Sequence, residues 1–270
     1  LASPSKTLRE VAKKQLLNIF EQKINSDETF KEKYQLEQFT ELINRISDWM
    51  SPVNESENGG DKKTAFSSLG EAYPPNRGFR TLDELRLIPG MTEEFFMMLS
   101  PQITIYGMKA INPNIASDLV LKSLDAGITE ESIKEALTRR QDPDLGGPFR
   151  GNDSDACRND FKSFIESRGS RLSPDFDKIP FVCDKVINFK IQATGRSGGG
   201  KGAVQQKITA VVMDLNHAAL QIKNFVTTEK AAQNPQQQNP QTGPKSPTTN
   251  AAKKEPLPKG RPRVVYWSEQ

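Results

Sequence analysis

A chain of 270 residues exceeds one domain of ordinary size and predicts one large folded unit or two modest ones. Its 37 basic and 34 acidic residues leave a net charge of +3, too even to mark a nucleic-acid surface. The single histidine, His217, excludes zinc sites built on several His and leaves at most one imidazole for a Ser-His-Asp triad, and so argues against an enzyme of the common types.

The first half reads as helices. Between Thr7 and Ile24, Leu8, Val11, Ala12, Leu16, Ile19 and Phe20 trace one helical face, with Thr7 and Glu10 spaced as a capping box. A second helix is predicted from Leu36 to Met50, with Leu36, Phe39, Leu42, Ile43, Ile46 and Trp49 inward. Pro52, Gly59, Gly60, Pro74, Pro75 and Gly78 then make Ser51–Arg80 a long loop. Short helices follow at Thr81–Leu87 and Thr92–Leu99, split by Pro89-Gly90, and Ile103–Tyr106 reads as a short extended piece. Further helices are expected at Ile115–Leu124, Thr129–Leu137 and Ser154–Ser167.

Around Pro180 the pattern changes. Val186 to Thr194 alternates, with Ile187, Phe189, Ile191 and Ala193 on one face, as in a half-buried strand. A glycine loop, Arg196–Gly202, leads to a second strand, Val204–Leu215, so the two form a hairpin. The loop lacks phosphate-cradle spacing and no helix follows it. Residues 227–262, rich in Pro and Gln, form a disordered tether, after which Arg263–Ser268 is again β-type and returns to the sheet.

Three features bear on chemistry. Leu82–Met91 has the outline of a helix-hairpin-helix, in which a glycine turn offers backbone N–H groups to a DNA phosphate, but Glu93 and Glu94 follow where a DNA reader carries cations. Asp48, Asn54, Glu55, Glu57, Asn58 and Asp61 cluster in and before the long loop, and Asn152, Asp153, Asp155 and Asp160 form a second run. Both suit either calcium or a solvated loop, and Asp153 also suits a helix cap. Cys157 and Cys183 are compatible with two buried thiols or one disulfide. No apolar stretch of ~18 residues exists that would span a bilayer.

The order of Asp48-Trp49, Gly70-Glu71-Ala72-Tyr73, Asn76, Phe79, Thr81–Met91, Ile111–Ala116 and Val120-Leu121 resembles the general secretion pathway protein K family, the large minor pseudopilin of bacterial type II secretion. Phe189–Ala193 and Val264–Trp267 are similar to that family's late strands. The resemblance implies an α+β fold, a pilin-like antiparallel sheet domain with a large all-helical insertion. On that reading residues 1–178 are the insertion, 179–226 sheet strands, 227–262 the tether and 263–270 the final strand. It further implies a non-enzymatic cap at the pseudopilus tip, on the periplasmic face of the inner membrane. The expected partners are the minor pseudopilins I and J and secreted cargo, with no nucleic acid. Membrane contact would run only through an N-terminal helix missing before Leu1. Calcium sites are known in the family's helical part, and the acids that carry over are Asp48 and Glu71. Met50, Ser51 and Pro52 stand where the family is more acidic. A periplasmic home favours a Cys157–Cys183 disulfide joining the insertion to the sheet. A helix-hairpin-helix nucleic-acid binder is the alternative function.

Overall fold

The computed structural model describes residues 6–106, 110–183, 188–198, 204–214 and 263–269. His217, Ile187, Leu215, the end of the glycine loop and the 227–262 tether lie outside the described residues. The fold is α+β. Two compact units divide the chain: Leu1–Ile105 with Lys109–Lys185, and Tyr106–Met108 with Val186–Gln270.

The first unit is helical. Its elements are α1 (Lys6–Ser26), α2 (Glu28–Tyr34), α3 (Phe39–Met50), α4 (Lys62–Ala65), α5 (Glu93–Leu99), α6 (Asp118–Ser123), α7 (Glu130–Arg139) and α8 (Ser154–Ser167). Short 3-10 turns, among them Leu82–Leu87 and Pro174–Lys178, link them. Side-chain caps set several starts: Thr92 accepts from Phe95 N, Ser117 from Val120 N, Thr129 from Ser132 N and Asp153 from Ala156 N.

Two hydrophobic clusters fill this unit, and α1 serves both. Val11 joins Leu121, Ile133, Phe149, Phe161, Phe176 and their neighbours. Ile19 and Phe20 join Phe30, Ile43, Trp49, Phe66, Phe95 and Leu99. Between them the buried Asn18 donates to the Ser123 carbonyl at 3.1 Å, and Gln22 donates to that of Lys122 at 2.6 Å. These bonds satisfy carbonyls at the end of α6 that the helix itself leaves open. At Gly127 an added Cβ would overlap the Arg171 carbonyl oxygen, so glycine is required by close backbone approach rather than by its φ.

The structure departs from the sequence reading in several places, among them α4, which forms inside the expected Ser51–Arg80 loop. α2 was not expected; Asp27 caps it, accepting from Phe30 N at 3.0 Å, and Phe30 packs on Tyr34 one turn later. α3 starts at Phe39, leaving Leu36 92% exposed, because Gln38 and not Leu36 stands at the cap. Residues 103–106 form coil and a bend instead of an extended piece. Finally, the helical unit continues to Lys185, past the expected limit at 178. Ile179 and Phe181 are buried in its core, and Ile111 bridges Phe181 through Ile111 N to Pro180 O and Val182 N to Ile111 O, each 2.9 Å.

Cys157 and Cys183 form a disulfide with Cα atoms 5.6 Å apart. Both lie in the helical unit, so the bridge ties the segment after Phe181 to α8 and does not join that unit to the strands.

The second unit holds a three-stranded antiparallel sheet, β1 (Asn188–Ser197), β2 (Val204–Met213) and β3 (Arg263–Glu269), in the order β1-β2-β3. Phe189 pairs with Val212 and Ile191 with Ala210. A bulge between Val211 and Val212 leaves Val265 as the extra residue on β3. Tyr106 packs its ring 5.6 Å from that of Tyr266.

Two outcomes follow. The cysteines are 26 residues apart, so removing the bridge by Cys157→Ser with Cys183→Ser should cost the helical unit about 3 kcal/mol, read from its chemical denaturation midpoint. Hydrogen bonds from Lys14 on α1 and from Lys178 hold the Asp175 carboxyl down at about 2. A folded pKa below the unfolded value adds stability above the unfolded pKa and loses it as pH falls toward the folded one. Acid should therefore loosen the attachment of α1 between about pH 4 and 2, and Asp175→Asn should flatten that part of the stability profile.

Candidate functional site

Helix α3 buries Leu42, Ile43, Ile46 and Trp49 by helical spacing. Trp49 stacks on Phe79 with centroids 5.6 Å apart and also meets Phe66 and Tyr73. The aromatic anchoring draws the following loop across the C-terminal end of the helix. That loop closes on itself through Ser56 N to Gly60 O, Gly59 N to Ser56 O and Lys62 N to Asn54 O. Gly59 and Gly60 take φ of 88° and 76°, a turn that L side chains resist.

The closure puts Asp48 at 0% exposure. Ser56 Oγ donates to one of its oxygens at 2.6 Å and Glu57 N to the other at 3.1 Å. Burial pushes the Asp48 carboxyl up, opposed by the Ser56 hydrogen bond and by the charges of Lys62 and Lys13. Lys62, at 1% exposure, is the buried cation nearby. Its Nζ donates to the Ser51 carbonyl and to Asn76 Oδ1, each at 2.6 Å. Burial pushes this ammonium down, and the Asp48 and Asp61 carboxylates oppose that. Around this pair, Ser47 Oγ donates to Glu57, which also pairs with Lys13, and Asn58 donates to the Glu41 carbonyl.

Glu71 sits in an exposed turn. Calcium takes six to eight oxygens at 2.3–2.6 Å, chiefly from carboxylates and carbonyls. Here the oxygens beside Asp48, Ser51 O and Asn76 Oδ1, already hold an ammonium, and Asp48 accepts from two protein donors. These residues do not fit a calcium ion. Among the described residues no three of His, Cys, Asp and Glu converge as a metal site. The second acidic run is structural: Asp153 caps α8, Asp155 pairs with Arg158, and Asp160 takes Arg139 at 2.9 Å and Arg150 N at 2.9 Å.

The glycine turn after Leu82–Leu87 has Gly90 at φ 88°. Arg45 donates to the Pro89 carbonyl there, while Arg86 lies over the Phe96 ring and is held by Glu93 and Asp83. A phosphate approaching this turn would meet carboxylates and a cation already paired.

The sheet offers a different kind of site. Register places Phe189, Ile191 and Ala193 on one face with Ile208, Ala210, Val212, Val264 and Trp267. The sequence reading had this face of β1 half-buried. Instead Phe189 and Ile191 are 55% and 54% exposed, and Trp267 56%. Among the described residues of this unit, only Ala210 and Val211, on the central strand, are buried. A one-layer sheet cannot bury its own face, and none of the described residues of this unit supplies the second layer.

Sequence reasoning picked out Asp48 but missed its counter-charge. Lys62 and Lys63 are neighbours in one polar stretch, and nothing local tells which one turns inward. No helix among the described residues is long and apolar enough to cross a membrane. Residues 23–108, about a third of the chain, match the family model of the type II secretion system (T2SS), protein K. No curated protein matches the chain.

Proposed function

We propose that this member of the type II secretion system protein K family, a participant in type II secretion, is a non-enzymatic minor pseudopilin that caps the pseudopilus tip. The observation that carries the reading is the pairing of a bulky helical unit with a small antiparallel sheet whose apolar face is exposed. An exposed apolar patch of this kind marks a packing or interaction surface rather than a finished exterior. The family match falls entirely on the helical side and the adjoining residues.

In this reading the sheet is the pilin-like part and the helical unit the insertion. The insertion blocks addition of a further subunit above it by bulk alone, so the mechanism needs surfaces and no catalytic group. The minor pseudopilins I and J are its partners, with secreted cargo a further one, on the periplasmic face of the inner membrane. The disulfide in the helical unit supports an oxidising compartment.

Co-expression with the minor pseudopilins I and J, followed by size-exclusion chromatography, tests the proposal. Co-elution is expected, weakened by Ile191→Glu with the helical unit's melting unchanged. Independent elution of all three would overturn it, and tight, salt-sensitive retention on DNA would favour the nucleic-acid alternative instead.

A further inference from the structure

We infer that the Lys62 ammonium is a built-in cation, doing for the loop after α3 the work that a bound metal ion would do. Lysine is almost never fully buried unless paired, and burying an ammonium without compensation is prohibitive. Lys62 is nonetheless 1% exposed, and it sits among oxygens: the Ser51 carbonyl, Asn76 Oδ1 and the charge of the fully buried Asp48.

Those oxygens come from two separate stretches of chain, and the lysine from a third between them. Ser51 is the residue that ends α3 and Asp48 lies in its last turn. Asn76 lies at the far end of the loop, held at φ 55°, a left-handed conformation that asparagine tolerates better than most side chains. Lys62 itself opens α4, where Asp61 caps the helix by accepting from Lys63 N. One positive charge thus gathers the beginning, middle and end of the loop. A divalent ion at the same oxygens would meet an ammonium already there, and the repulsion would exclude it. The groups facing this charge from neighbouring elements are Asp48 on α3, Asp61 before α4 and, beyond Asp48, Lys13 on α1 with its partner Glu57.

The consequence is a chain whose loop order is independent of calcium, and whose cation site opens only when the lysine is shortened. Lys62→Ala leaves a cavity at the Ser51 carbonyl and Asn76 Oδ1, within the field of the buried Asp48. A small alkylammonium such as ethylammonium should fill it, whereas Lys62→Met keeps the bulk without the charge.

The test uses the full chain, with thermal melting and amide exchange at Glu57, whose N–H donates to Asp48. Wild type should melt at the same temperature in millimolar calcium and in chelator. Lys62→Met and Lys62→Ala should both melt lower and exchange the Glu57 amide on the order of 100-fold faster, as expected when a buried charge loses its partner. Ethylammonium should restore protection in Lys62→Ala alone. A calcium-dependent rise in the wild-type melting temperature would overturn the inference, because an external ion would then be the organiser. So would wild-type protection in Lys62→Met, because the charge would then be dispensable. If neither variant folds, the wild-type calcium comparison still decides.

Discussion

The helical unit depends on one helix having no dry side to spare. α1 sends Val11 into one hydrophobic cluster and, two turns on, Ile19 and Phe20 into the other, so it is the wall the two clusters share. Asn18 and Gln22, between and beside these positions, fasten the helix to the end of α6 through its last carbonyls. Placing α1 places α3 and α6, and through them the loop and the disulfide-bearing segment. A buried asparagine is tolerated here because its amide meets an oxygen that also lacked a partner.

Among the described residues, several charged groups hold elements in place. Asp153 caps a helix, Asp160 braces Arg139 against a backbone amide, and Asp48 faces Lys62. Exposed pairs such as Lys31 with Glu28 contribute little by comparison, since both ends stay in water. The few buried charges carry the greater stake, because leaving one of them alone would cost more than any surface pair returns.

How much of this was legible in the sequence depended on how local the cause was. α8 appears at Ser154–Ser167 as read, because its cap, Asp153, and its inward Cys157, Phe161 and Ile165 all lie within the segment. α2 escaped notice because seven mostly charged residues carry only Phe30 and Tyr34 as an apolar signal. The alternation along β1 was real, yet it predicted burial that does not occur. Period two reveals that a strand has an apolar face, while exposure depends on what stands opposite. Asp48 stood out as an acid beside a conspicuous tryptophan. Lys62 did not, since its burial is decided by Asn76 and Ser51 far along the loop.

The strand order has a consequence in time. β2 is central, but one of its two neighbours, β3, is contributed by residues 263–269. During synthesis the helical unit can collapse as soon as residues to about 185 have emerged, while β2 waits with one edge unpaired. Pairing across so long a stretch of chain is slow, and an open edge is where strands from other molecules add. Residues 263–269 therefore close the sheet, and until they arrive the nascent chain holds a folded unit beside an open strand edge.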